Sequence, residues 1–268
     1  MNKYNKKANV DQDDYLTFPI ILLSDNNLDI KERLRNVICY CLYERYLKIP
    51  SNYNTDKAKR EALIELNKKV TLNPVRIEHC NESKYFDIGE VLFNSIPSSS
   101  VKTSIKKKII WEFRFDNSKH SECNVIELIA FAALRSIIQR QKYKKLTHDY
   151  LLSRMAGSNT VIDTLPDWLV KYRNRHHIDN LKKQLQLNWG LKIPTIKGIR
   201  GIYVSFECTL DSLSLIAEKN KRKNKLKELA LKKHEAHQKA LKAIQAGNSI
   251  KTPPTTSYGL QLPQLKHI

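Results

Sequence analysis

The apolar positions fall into stretches of two different periods. Over residues 29–49, Ile30, Leu34, Val37, Ile38, Cys41 and Leu42 recur at three- and four-residue spacing, joined by Arg45 and Tyr46. That period predicts a helix with one buried face. Pro50 ends it, and a second helix is predicted over 56–69, where Ala62, Leu63 and Leu66 turn inward. Between 75 and 115 two readings compete. Trp111, Phe113 and Phe115 alternate with Glu112, Arg114 and Asp116, which favours a strand, while Ile105, Ile109 and Phe113 keep helical spacing and leave the second reading open.

A stronger pattern follows. A polar break over 117–121 ends in Ser121, a natural N-cap. Residues 122–141 then carry Val125, Ile126, Leu128, Ile129, Phe131, Leu134, Ile137 and Ile138. Their apolar surface covers more than one face, which predicts a central helix. A basic turn over 142–145 leads to Thr147, the cap of a short helix that buries Leu151, Leu152 and Met155 and closes at Gly157. Pro166 opens another helical stretch with Trp168, Leu169 and Tyr172. Asn174 restarts it, and Ile178, Leu181 and Leu185 form the inward stripe. The period then drops to two: Leu191, Ile193 and Thr195, and later Ile202, Val204 and Phe206, alternate with the residues between them. The chain has only seven glycines, and Gly190, Gly198 and Gly201 fall in this region, as a tight hairpin requires. Leu210 begins a last helix that runs to about residue 246. Pro253, Pro254 and Pro263 mark a tail, 248–268, expected to be disordered.

Charge changes the picture. The 268 residues include 47 Lys and Arg against 27 Asp and Glu, a net charge of +20. Up to residue 100 there are 15 basic and 14 acidic side chains; beyond it there are 32 and 13. AT-rich codons inflate Lys, which supplies 34 of the 47, but they do not move the excess to one side of the chain. A polycation points to a polyanionic partner, because each neutralised phosphate releases condensed counterions. The longest apolar runs, 18–23 and 128–134, are far short of the roughly 20 residues of a membrane-spanning helix. No signal-peptide core precedes residue 15, where Asp11, Asp13 and Asp14 stand. Five scattered cysteines suggest reduced thiols and a cytoplasmic protein.

The order of helix 122–141, helix 147–156, helix 174–187 and a two-stranded hairpin resembles a winged helix-turn-helix. The phrases Leu151-Leu-Ser-Arg-Met-Ala-Gly157, Leu185-Gln-Leu-Asn-Trp-Gly190 and Gly201-Ile-Tyr-Val-Ser-Phe206 are similar to proteins of bacterial plasmids, phages and transposable elements, some of them winged-helix replication initiators. The expected fold class is therefore mainly α with small β-hairpins. It comprises a mobile arm (1–15), a mostly helical N-terminal domain (16–116), a winged helix-turn-helix domain (117–208), a basic helix (209–247) and the tail. An echo between the sequences at 37–42 and 128–133 raises a degenerate second winged helix in the N-terminal domain.

The resemblance implies a third helix in the major groove and a wing on the adjacent backbone or minor groove. With Ile178, Leu181 and Leu185 inward, Arg175, Asp179, Lys182 and Gln186 are expected to share the outward face, with Arg173 and Lys183 beside them. Arg and Lys suit guanine and Gln suits adenine. Lys197 and Arg200 are expected at the wing tip, Lys144 and Lys145 in the basic turn, and Lys221, Arg222 and Lys223 on the last helix, as phosphate contacts. No metal or cofactor site is expected. His176 and His177 are adjacent rather than four apart, and His177 is expected to pack near Trp168 or act as a cap. Catalytic motifs are lacking, so the chain reads as a non-enzymatic binder of double-stranded DNA, in replication initiation or as a repressor. The alternative is a structural or adaptor protein that binds RNA or an acidic partner. A homodimer, and a replication-machinery partner for Gln261-Leu-Pro-Gln-Leu265, complete the expectations.

Overall fold

The computed structural model describes residues 14–245, except 51, 52, 69 and 71–81. The arm up to residue 13 and the tail over 248–268, including the Gln-Leu segment, lie outside the described residues. The protein is mainly helical, with two small two-stranded antiparallel sheets and a long C-terminal helix.

The first sheet pairs β1 (Tyr15–Pro19) with β2 (Lys102–Lys106), Leu16 facing Ile105 and Phe18 facing Thr103. These four alternate inward and are buried, while Thr17 and Ser104 hydrogen-bond to each other on the other face. Tyr15, counted with the arm from sequence, begins β1. After a single turn, α1 (Ile21–Ser24), the long helix α2 (Ile30–Tyr46) starts at Asp29, whose carboxylate accepts from Glu32 N at 2.8 Å. Helix α3 (Thr55–Asn67) starts in the same way at Asn54, which accepts from Lys57 N.

Helix α4 (Glu82–Ser95) crosses α2 closely at Gly89, where an added Cβ would stand 2.4 Å from the carbonyl oxygen of Cys39 and 2.8 Å from Tyr43 Cβ. Glycine is used here for a close approach of two backbones. Tyr40 and Tyr43 contact Phe93, and Tyr46 contacts Phe86, along the rest of this seam.

Helix α5 (Lys107–Phe115) corrects the strand reading of Trp111, Phe113 and Phe115. Ile110, Trp111 and Phe113 are all buried, so α5 is covered on more than one side, and its apolar alternation does not report a two-sided strand. Lys107 is itself buried. Its ammonium donates to the carbonyls of Glu65 and Lys68 at 3.1 and 2.9 Å, satisfying the end of α3.

Helix α6 (Glu122–Ile138), capped by Ser121, is the central element that its sequence predicts, with buried residues on all sides. Thr103 of β2 donates to the carbonyl of Ala132, and Ser24 donates to that of Met155, so the N-terminal elements pack onto α6 and its neighbour. One apolar core runs continuously from Leu16 to Val204. The described residues up to Ala217 form a single compact unit, and a second begins at Glu218.

The segment after α6 departs from a basic turn followed by a self-contained hairpin. Lys144–Leu146 is a strand, β3, and it pairs with β4 (Ile202–Val204), Lys144 opposite Val204 and Leu146 opposite Ile202. The 191–195 segment joins only through one bridge, in which Lys192 and Ser205 exchange backbone hydrogen bonds of 2.7 and 3.1 Å. Pro194 explains part of this, because it has no N–H to continue the ladder. Gly201 makes the alternative pairing feasible. It sits at φ +81°, and a Cβ there would lie 2.6 Å from the carbonyl oxygen of Leu146. Between the strands lie α7 (His148–Met155), capped by Thr147, α8 (Asp167–Val170), a 3-10 turn (Lys171–Arg173) and α9 (Arg175–Trp189), capped by Asn174. Helix α10 (Leu210–Gln245) is the last.

Candidate nucleic-acid interface

Helix α9 is fixed to the core along its whole length. Ile178, Leu181 and Leu185 are buried as predicted. At its C-terminal end the Trp189 ring stacks on Phe131 of α6, centroids 4.4 Å apart. The Trp189 indole N–H donates to Glu127 Oε2 at 3.0 Å, and the Asn188 amide donates to the same oxygen at 2.9 Å. Glu127 is a buried carboxylate on α6, only 6 % exposed. No sequence signal short of the fold itself singles it out.

The expected reading face needs correction. Arg175 is 94 % exposed, and its guanidinium lies 3.5 Å from Asp179. Lys182 is only 16 % exposed: its ammonium is 2.5 Å from Asp179 Oδ1 and 3.3 Å from His148 Nε2 on α7. Asp179 and Gln186 are half-buried on the same flank. This network is reflected in titration. The hydrogen bond from Lys182 holds the Asp179 carboxyl below the usual carboxylate range, and burial, helped by the Lys182 charge, holds His148 below the ordinary histidine value.

The open face is instead His176, Asn180, Lys183, Gln184 and Leu187, all exposed, with Arg173 and His177 at its margin. A helical wheel accounts for this. At about 100° per residue, 176, 180, 183 and 187 lie roughly 160° from the centre of the buried stripe, and 175, 179, 182 and 186 only about 95°. The second set is a flank, where His148 of α7 meets Lys182 while Arg175 at the helix start stays exposed. On the open face Asn180 and His176 Nε2 are 3.1 Å apart, and Asn188, held by Glu127, donates to Gln184 at 3.5 Å. His177 is exposed, with Tyr172 and His176 as its ring neighbours, rather than packed near Trp168. Arg173 donates to the carbonyl of Asp163 and remains exposed.

The loop over 193–201 exposes Lys197 and Arg200, while its Ile196 and Ile199 pack with Tyr143, Tyr203 and the first turns of α10, at Leu213 and Ala217. Ser205 secures its base, donating to the carbonyl of Lys142 and accepting from Glu207 N and Cys208 N. On β3, Lys144 is half-buried, and Lys145 is exposed with its ammonium 5.9 Å from the Tyr203 ring.

The second unit begins at Glu218. From Glu218 to 244 it is helix with almost every side chain exposed, including Lys221, Arg222 and Lys223. Residues 219–242 hold ten basic and two acidic side chains. Glu228–Lys232 and Glu235–Lys239 have the favourable i, i+4 order for an exposed helix.

Other chemistry is sparse. An open cavity of about 590 Å³ lies between the starts of α2 and α6, lined by Asp29, Arg33, His120, Glu122 and Trp168 among others. Two of its charged groups already have partners: Arg33 donates to the carbonyls of Leu23 and Leu28 and to Asn26, and Glu122 pairs with Lys171. Cys39, Cys41, Cys123 and Cys208 are free thiols, and burial pushes Cys41 up to about 12. Among the described residues no group of three His, Cys, Asp or Glu side chains could hold a metal ion, and no helix is long and apolar enough to cross a membrane.

Comparison of the chain with protein-family models, curated proteins and solved structures finds no match.

Proposed function

We propose that residues 117–208 are a winged helix-turn-helix domain and that the protein binds duplex DNA sequence-specifically. Helix α9 enters the major groove, and the 193–201 loop lies on the neighbouring backbone or minor groove. The observation that carries this reading is the arrangement of α9 with the β3–β4 sheet. The order α6, β3, α7, α8, α9, β4, with β3 paired to β4, leaves one side of α9 uncovered. That side presents amide, imidazole and ammonium groups, while the nearby carboxylate, Asp179, is turned to Lys182. Amide and cationic side chains on an open helix face suit base edges. Exposed Arg173, Arg175, Lys145, Lys197 and Arg200 suit phosphates. Helix 218–244 adds sequence-independent affinity through its basic side chains. Within DNA binding, initiation of replication is the role proposed, with transcriptional repression as the alternative.

The test is selection from random duplex DNA at about 150 mM salt, followed by a salt titration on the winning duplex. One enriched motif is expected. If about six to ten phosphates are contacted, affinity should fall by roughly 10³ to 10⁵ between 50 and 200 mM salt. Recovery of no motif together with a salt-independent isotherm would refute the reading. Leu226, Leu229 and Leu231, exposed on the basic helix, favour a second reading in which that helix binds a protein or RNA partner. Failure of the full chain to bind heparin or duplex DNA would point there.

A further inference from the structure

The open face of α9 holds one side chain that nothing in the fold explains. Leu187 is 76 % exposed, the most exposed of the large apolar side chains described. It lies one turn beyond Lys183 and three residues beyond Gln184, on the side of the helix directly opposite the buried stripe. Its neighbours on that face are polar or charged, so no apolar patch surrounds it.

We infer that Leu187 reads the C5-methyl group of a thymine, and so makes the protein specific for an A·T pair at that point of its site. The inference rests on the DNA-binding reading of α9. Three arguments select this occupant. The face around Leu187 is set with amide and ammonium groups whose complement is a base edge, not an apolar protein surface. Within the major groove, thymine alone of the four unmodified bases presents an apolar group. Leucine set against the exocyclic amino groups of adenine or cytosine, or against a phosphate, would strip water from a polar group and return no hydrogen bond.

Gln184 and Leu187 are about 4.5 Å apart along the helix axis, against roughly 3.4 Å between neighbouring base pairs, so a helix lying at an angle across the groove brings them to neighbouring pairs. The Gln184 amide, already oriented through Asn188, suits adenine, so the two residues together favour consecutive A·T pairs.

The experiment uses the full chain and the duplex recovered by selection. Each thymine is replaced singly by deoxyuridine, which deletes only the methyl group, and Kd is measured for wild type and Leu187→Ala. At one or two positions the wild type should lose about fourfold in affinity, the value of one buried methyl-sized group. Leu187→Ala should bind the parent duplex about as weakly and show no further loss on uracil substitution at those positions. Unchanged helicity and melting of this exposed-site variant establish that it is folded. Indifference of the wild type to every thymine methyl overturns the inference, as does an equal loss in both proteins. A concentration-dependent dimer that Leu187→Ala abolishes, with uracil-indifferent binding, also overturns it and makes Leu187 a contact between copies. If no duplex is enriched at all, it is the DNA-binding reading that has failed.

Discussion

Replacing Glu127 by alanine removes the one acceptor that serves two donors at the end of α9. The indole N–H of Trp189 is 3.0 Å from Glu127 Oε2 and is held there by the stack on Phe131, so it has little freedom to find another partner. Losing its acceptor should cost about 1–2 kcal/mol. The Asn188 amide is on an exposed residue and can turn to water, so its loss costs less, about 0.5 kcal/mol. Truncating a buried side chain adds about 1 kcal/mol of lost packing. The expected total is about 2.5–3.5 kcal/mol. Glu127→Gln keeps one carboxamide oxygen as an acceptor and should lose about half as much. Urea denaturation, with the slope unchanged, measures both. DNA binding should suffer in the same order, because the same contacts hold Asn188 beside Gln184. A Glu127→Ala protein within 0.5 kcal/mol of wild type would show that the clamp does not hold α9.

Gly89→Ala should destabilise the fold by about 1–3 kcal/mol despite the better helix propensity of alanine, because its Cβ meets backbone at Cys39 rather than a side chain that can move; thermal denaturation checks this. His148 is held below its ordinary value, so the unfolded chain takes up this proton first as pH falls. Stability is then full above about pH 6.5 and declines below it, and His148→Gln should show a smaller drop in Tm between pH 7.5 and 5.5 than wild type. Equal drops would remove the assigned role of the Lys182 contact. Lys183→Ala should weaken binding to the selected duplex and relax base preference, whereas Lys223→Ala should weaken binding to all duplexes alike; identical behaviour of the two would displace readout from α9.

Much of the helical framework is legible in the chain. The caps Asp29, Asn54, Ser121, Thr147 and Asn174 stand directly before α2, α3, α6, α7 and α9, and each accepts a backbone hydrogen bond as its residue type suggests. Such bonds span two or three residues, so local sequence is sufficient to specify them. The site was legible in part. Of the expected outward face, Arg175 is exposed, while Asp179, Lys182 and Gln186 lie on a half-buried flank. The angular positions of Ile178, Leu181 and Leu185 point instead to His176, Asn180, Lys183 and Leu187, a signal that was in the sequence all along.

What the sequence determined by itself is therefore α2, α3, α6, α7 and α9 with their inward stripes, and the crowding of positive charge beyond residue 100. What only the tertiary structure decided is pairing across long separations. Strand β1 meets β2 across 87 residues at Thr17 and Ser104, β3 meets β4 rather than the 191–195 segment, and Lys182 and Glu127 turn to partners on other helices. The physical reason is range. A helix satisfies its backbone within four residues, whereas a short strand or a buried charge must find its partner wherever the packing of the whole chain brings one.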